Sequence, residues 1–352
     1  MNTGSIESGG STKDGQLLMM CPNNHFNQVH PDAKESCGIC GMSPLNKIPI
    51  RTTISHSFLS DLDRCSRYAY YRHLLSLRAI REEKTAMNAG TLWHMAMQAW
   101  HGEKGGTPES RKKVATKTLL NGLELFPDFP LTREQSKNRS LENLVDNIGL
   151  YSSKYGLSPF NVLRDENDKP LTEINFAILL QNGTEPPVVC RGIIDAIVEY
   201  DGRNYTVEYK STAMLNTPMM EKFRTDSQIS TYIMAAREIL GIPIYGAIVD
   251  IVGLFGKVDP SKHLVRIFTS RTEQQLEGWK NAAVRKYMKW EENKETGNWD
   301  QSTGACNMWN RVCEYMEPCL AWGTKGHKNI LQSGYVVEVR REAEGGDIIE
   351  DI

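Results

Sequence analysis

The stretch Arg191–Lys210, RGIIDAIVEYDGRNYTVEYK, decides the fold. Two runs of period two flank Asp201-Gly202, the dipeptide that favours a two-residue type I′ hairpin turn. Tyr200 then faces Arg203, and counting back along the ladder sets Asp195 opposite Glu208. Cross-strand neighbours have Cβ atoms about 4.5–5.5 Å apart, so both carboxylates can reach one divalent cation. Lys210 follows two residues later on the same face. The other face carries Ile194, Ala196, Val198, Tyr205, Val207 and Tyr209, an apolar set suited to packing on a helix layer. As plain structure, Asp195, Glu208 and Lys210 make a solvated face with a cross-strand salt bridge. As chemistry, they make the centre of a metal-dependent phosphodiesterase. Like charges directly opposite each other destabilise a sheet unless a cation sits between them, which favours the second reading.

Downstream, Glu221–Leu240 reads as a helix ended by Gly241 and Pro243, with Gln228 and Tyr232 four residues apart on one face. Upstream, Gly90-Thr91-Leu92-Trp93-His94 lies in an apolar helical stretch, where a histidine alone is an ordinary core or boundary residue. In order, Gly90-x-x-x-His94, Gly192-x-x-Asp195, Glu208-x-Lys210 and Gln228-x-x-x-Tyr232 resemble the RecB-type branch of the PD-(D/E)xK nuclease superfamily. The chain is similar there to CRISPR-associated and AddB-type exonucleases, over roughly Ser55–Trp322. The resemblance implies an α/β fold with a restriction-endonuclease-like central mixed sheet flanked by helices. It also implies that Asp195 and Glu208 bind Mg²⁺ or Mn²⁺ with the Tyr209 carbonyl, and that His94 completes the metal shell. Lys210 would orient or deprotonate the attacking water, and Gln228 and Tyr232 would touch the DNA strand. Glu173, in LTEINFAILL, is similar to the glutamate that opens the family's core.

Eight cysteines fall into two clusters, with Cys190 left over as a buried hydrophobe. Cys306, Cys313 and Cys319 lie in ACNMWNRVCEYMEPC, and Cys65 sits far upstream. Four thiolates suit an iron–sulfur cluster, and zinc held by the same four is a rival. In RecB-type nucleases with such a cluster one cysteine precedes the core and three follow it, so the resemblance implies a 4Fe-4S staple. Near the start, Cys21-x3-His25 followed by Cys37-x2-Cys40 fits a small zinc ribbon, with His30 able to replace His25. So short a module lacks the apolar surface to fold unaided, and a metal would supply the stability. A disulfide is the alternative, disfavoured in a chain with no signal-peptide pattern, which is expected in a reducing cytoplasm.

With 352 residues, 40% of them hydrophobic, the chain has room for one large domain and a small one. It contains no apolar run near the length of a membrane span. Its net charge of −2 makes local patches, rather than the total, the basis of any nucleic-acid binding. One such patch is Arg64, Arg67, Arg72, Arg78 and Arg81 interleaved with Tyr68, Tyr70 and Tyr71, suited to stacking single-stranded bases or equally to an ordinary amphipathic helix. The expected organisation is a Gly/Ser-rich disordered tail over 1–16, a zinc-ribbon-like module over 17–50 and a nuclease domain over 51–325. Within that domain a helical arm (55–155) precedes the catalytic core (160–295) and the cysteines (305–320), and 326–352 form an extension with an acidic tail. Helices are expected from Ser55 or Ser57 to Leu77, Glu83–Glu103, Pro108–Leu125 and Arg133–Tyr155. Strands are expected at Thr172–Leu180, Val188–Tyr200, Arg203–Ser211, Tyr245–Phe255 and His263–Thr269. Ser270-Arg271-Thr272-Glu273 reads as a capping box for a long helix. The expected activity is DNA hydrolysis, exonucleolytic on single strands or duplex ends, in recombination, repair or phage replication beside a helicase or recombinase. A nuclease-inactive DNA-binding or scaffold protein of the same fold is the alternative.

Overall fold

Asp201 and Gly202 both take positive φ, 51° and 70°, as a type I′ turn requires. The two strands they join pair antiparallel from Tyr200↔Arg203 to Ala196↔Val207, the register expected from the turn. The computed structural model describes residues 17–20, 26–29, 46–47, 53–80, 84–157, 160–181, 188–255, 262–308 and 311–337. In chain order its elements begin with strands β1 (Leu17–Met20), β2 (Phe26–Val29), β3 (Asn46–Lys47) and β4 (Thr53–Ser55). Helices α1 (His56–Arg64) and α2 (Ser66–Ala69), strand β5 (Leu77–Ala79) and helices α3 (Thr85–Gly102), α4 (Pro108–Gly122) and α5 (Leu141–Tyr155) follow. Next come β6 (Asn161–Val162), β7 (Thr172–Gln181), the hairpin strands β8 (Val188–Tyr200) and β9 (Arg203–Thr212), and helices α6 (Thr217–Glu221) and α7 (Ser227–Leu240). Strands β10 (Gly246–Gly253) and β11 (Leu264–Thr269) lead to α8 (Glu273–Thr296), β12 (Asn307–Met308), β13 (Arg311–Val312), α9 (Met316–Leu320), α10 (His327–Gly334) and β14 (Tyr335–Val337).

The chain divides into two compact units, one of residues 1–82, 177–192 and 278–352, the other of 83–176 and 193–277. In the second unit the sheet order is β11-β10-β9-β8, with β6 also paired to β8. Strand β9 runs parallel to β10 and antiparallel to β8, which makes the sheet mixed. Helix α3 packs its fully buried Leu92, Trp93, Met97 and Trp100 with Ala196, Val198, Val207 and Tyr209 of the hairpin and with Leu144, Ile148 and Tyr151 of α5. Withdrawing each such side chain from water contributes roughly 1.5–3 kcal/mol, so this face of the sheet is the unit's main core. The opposite face is not solvated as a simple amphipathic hairpin would be. Ile197, Thr206 and Glu208 are buried there too, and α7 packs on β9 and β10. Helices thus cover both faces of the sheet. The chain's α/β architecture is the one expected.

The long helix expected over 221–240 starts only at Ser227, where Asp226 caps it by accepting the Gln228 N–H at 2.9 Å, and Gly241 closes it at φ +63°. Likewise α5 starts at Leu141 rather than Arg133, behind Ser140 as cap. The capping box of α8 is Thr272 with Gln275, not Ser270 with Glu273. The Thr272 hydroxyl accepts the Gln275 N–H at 3.2 Å and the Gln275 side chain accepts the Thr272 N–H at 2.9 Å.

In the first unit, β4 runs parallel to the opening residues of β8, and β5 pairs with β14. The helix expected from Ser55 to Leu77 is broken at Cys65, which is fully extended (φ −171°, ψ 128°) between α1 and α2. Of the two readings open for the arginine–tyrosine stretch, Tyr68 and Tyr71 follow the inward-packed one, being 5% and 0% exposed in a core with Cys65, Leu77 and Tyr315. Arg72 is held by Asp61 and Glu314, and Arg78 is buried with two backbone carbonyls as acceptors. Tyr68, Tyr71, Arg72 and Arg78 therefore build structure rather than a stacking platform. Strands β1, β2 and β3 form an antiparallel sheet, while Cys21, His25, Cys37, Cys40 and Arg81 lie outside the described residues. Among the described residues no helix is long and apolar enough to cross a membrane.

Candidate active site

All side chains of the candidate centre belong to the second unit. Asp195 on β8 and Glu208 on β9 are 6% and 2% exposed, too buried for a merely solvated pair. The described ladder ends one pair short of them, at Ala196↔Val207. Beyond it the Tyr209 N–H donates to Asp195 Oδ2 at 2.8 Å, so the carboxylate takes a backbone donor of the neighbouring strand. His94, two turns into α3, brings Nδ1 within 3.5 Å of the same carboxylate oxygen. Glu173 completes the group. Ligand atoms of His94, Glu173 and Asp195 all lie within 4.8 Å of one another, the arrangement of this kind found among the described residues. Glu173, the second residue of β7, sits at φ +50°, a left-handed backbone that costs a non-glycine residue of order 1–3 kcal/mol and that clusters at functional sites.

Glu208 stands outside that trio. One of its oxygens contacts Lys210 Nζ, while Oε2 is buried with no partner. An orphaned carboxylate oxygen at this depth is costly unless a cation satisfies it. Lys210 Nζ also donates to Gln228 Oε1 at 3.0 Å, and Gln228 Nε2 donates to the Tyr232 hydroxyl at 2.8 Å. The helical spacing of Gln228 and Tyr232 thus produces a relay ending on the lysine. Tyr232 itself is 7% exposed, so it supports Gln228 from within.

The electrostatics follow from burial and from three carboxyls at close quarters. Burial and then the Asp195 charge raise the Glu208 carboxyl to about 7. Glu173 is raised for the same two reasons. Burial alone would lower His94, but the Asp195 hydrogen bond and the charges of Asp195 and Glu208 outweigh it and hold the imidazolium up to about 9. Burial likewise works against the Lys210 ammonium, and Glu208 overcomes it, raising the group above its usual value. Lys210 is therefore a charged donor at neutral pH, which favours orienting and charge stabilisation over proton abstraction. Two or three carboxylates with an imidazole are a donor set for Mg²⁺ or Mn²⁺, and the crowding that raises these acids is what a divalent cation relieves.

A second network lies behind the centre in the same unit. The Tyr151 hydroxyl donates to Asp250 Oδ2 at 2.5 Å and accepts from Arg266 Nη2 at 2.9 Å. Burial drives His101 well below the usual histidine range, so it is neutral, and its Nε2 lies 2.9 Å from that hydroxyl. Its ring stacks on Tyr209 at 15°. No sequence signal marked these residues, because they are scattered over α3, α5, β10 and β11.

In the first unit, Cys65, Cys306, Cys313 and Cys319 line one pocket together with Arg64 and Arg67. The break at Cys65 frees its side chain from the helical rows. The hairpin β12–β13 brings Cys306 and Cys313 together, with the Cys313 N–H donating to the Cys306 carbonyl at 2.9 Å. Donors point at three of the sulfurs: Ser302 N–H on Cys65 at 3.4 Å, Arg67 on Cys319 at 3.5 Å and Gln301 on Cys306 at 3.7 Å. No three of the thiols come within 4.8 Å of one another. Cys190 is fully buried, and burial pushes its thiol up to about 12, which suits an inert core residue.

The model of the PD-(D/E)XK nuclease superfamily matches residues 53–320. A solved structure of a candidate exonuclease from Eubacterium rectale is similar at 13% identity over 75% of this chain and 90% of that one, with a TM-score of 0.47. The structure of SSO0001 is similar at 13% identity, covering 65% of this chain and 83% of that one, with a TM-score of 0.26. No curated protein matches the chain.

Proposed function

The chain belongs to the PD-(D/E)XK nuclease superfamily, and on that premise we propose that it is a Mg²⁺- or Mn²⁺-dependent deoxyribonuclease acting on single strands or duplex ends. The observation that carries this reading is the convergence of His94, Glu173 and Asp195 beside the unpartnered Glu208 Oε2. These residues, with the Tyr209 carbonyl, would hold the cation, which when bound polarises a phosphoryl oxygen and makes its water a nucleophile at neutral pH. Lys210 donates to a phosphate oxygen and stabilises charge that develops there. Gln228 fixes the direction of that ammonium, and Tyr232 fixes Gln228. His94 adds a neutral ligand once its proton is displaced.

The four cysteines are proposed to hold a 4Fe-4S cluster. The N–H groups aimed at three sulfurs are of the kind that tune such clusters. For Cys21, His25, Cys37 and Cys40 the zinc reading rests on their spacing alone.

The test is cleavage of end-labelled single-stranded and duplex DNA by the full chain in Mn²⁺, against EDTA. Metal-dependent release of short products from ends supports the proposal. Binding without cleavage in any divalent metal would instead support an inactive DNA-binding member of the superfamily.

A further inference from the structure

We infer that Arg271 is a positioning residue that holds the first turn of α7, and through it Gln228, against Lys210. The inference rests on the reading of Lys210 and Gln228 as parts of a nuclease site. Arg271 is 7% exposed, and every one of its five N–H donors has an acceptor. Nη1 donates to Thr269 Oγ1 at 2.8 Å and to the Ser270 carbonyl at 2.9 Å, which anchors the guanidinium at the end of β11. Nη2 donates to the carbonyls of Phe223 at 3.0 Å and Asp226 at 3.1 Å, and Nε to Ser230 Oγ at 3.1 Å. Those three acceptors are the short turn before α7, its cap residue and its first turn.

The consequence reaches the centre in two steps. Asp226 caps the helix by accepting the Gln228 N–H at 2.9 Å. Gln228 in turn accepts the Lys210 ammonium at 3.0 Å. A shift of the cap moves the acceptor that aims the lysine. The planar fork spans acceptors on both sides of the guanidinium, and a lysine, with three donors at one point, cannot. The metal donors, by contrast, sit on α3, β7, β8 and β9, and none of them is on α7. Arg271 should therefore affect turnover and leave metal binding alone.

The experiment compares the full-length wild type, Arg271→Lys, Ser230→Ala, Gln228→Ala and the two double variants with Gln228→Ala, in Mn²⁺-dependent cleavage and in Mn²⁺ binding. Arg271→Lys is expected to lower kcat by about ten- to a hundred-fold, as misplacement of a catalytic group by an ångström does, with unchanged Mn²⁺ affinity. Added to Gln228→Ala it should cost nothing further, because both act through one contact. Multiplying losses in the double variant, or wild-type kcat in Arg271→Lys, would overturn the inference. Should Arg271→Lys not fold, Ser230→Ala decides. It removes one acceptor while keeping a good helix former, and is expected to lower kcat by about threefold or more, again absorbed by Gln228→Ala; full activity overturns the inference. A wild type that cleaves nothing sinks the functional reading, whereas a cleaving wild type matched by these variants sinks only the role of Arg271.

Discussion

Replacing Glu208 with glutamine tests the electrostatics of the centre without touching its shape. The carboxyl sits at about 7 in the fold against an ordinary 4.5, raised by burial and then by Asp195. An acid raised on folding is neutral in both states below the lower value, so it costs nothing there. As pH rises from 4.5 to 7 the unfolded chain ionises first, and folding stability falls. At about 1.4 kcal/mol per pH unit between the two values, the penalty reaches about 3 kcal/mol above pH 7. His94 slopes the same way, since its raised value gives stability that is present below 6.5 and lost as pH rises through about 9. Thermal melts of wild type and Glu208→Gln in EDTA should therefore coincide near pH 4 and diverge by pH 8, with the variant melting about 6–12 °C higher for a domain of this size. Saturating Mn²⁺ should reverse the order at pH 8, because only the ionised wild type gains a tight ligand. Parallel melting curves from pH 4 to 8 in EDTA would show that the Glu208 carboxyl is not raised in the fold.

Asp195→Asn removes a metal donor at almost constant volume, so cleavage in Mn²⁺ should fall at least about a hundredfold with the melting midpoint preserved; retained activity would move the centre elsewhere. Anaerobically purified protein should carry iron and visible absorption, and Cys313→Ala should lose both, whereas colourless wild type containing zinc would overturn the cluster assignment. Tyr151→Phe leaves Asp250 and Arg266 each short of a buried partner, which should cost about 1–3 kcal/mol in urea unfolding; an unchanged midpoint would show that the network is not stabilising.

What could be read from sequence was local. The hairpin register follows from one dipeptide and a period of two, and both act over a few residues. The spacing of Gln228 and Tyr232 gave their common face for the same reason. Glu173 was recognisable only by likeness to a family position, because its approach to His94 and Asp195 depends on a left-handed backbone that no neighbouring glycine or turn pattern announces. The break at Cys65 was hidden, since Arg64, Ser66 and Arg67 are ordinary helix residues and the extended backbone is settled by packing with distant residues such as Ser302. Arg271 is concealed by its motif: Ser270-Arg271-Thr272-Glu273 resembles a capping box two residues early, in which the arginine is an unconstrained filler position. The tyrosines near Cys65 show the limit of composition, because alternating arginine and tyrosine describes a nucleic-acid surface and a core edge equally well. Only the burial of Tyr68 and Tyr71 separates the two.

On the proposed reading, Asp195, Glu208 and Lys210 form a working hydrolytic centre. The measurement that bears on it most directly sets wild type beside Lys210→Ala, with DNA binding and Mn²⁺-dependent cleavage read on the same labelled strands. Wild type should bind and cut, and the variant should bind and leave the strands intact. Equal inertness of both proteins on DNA that both bind would show that these residues form no hydrolytic centre.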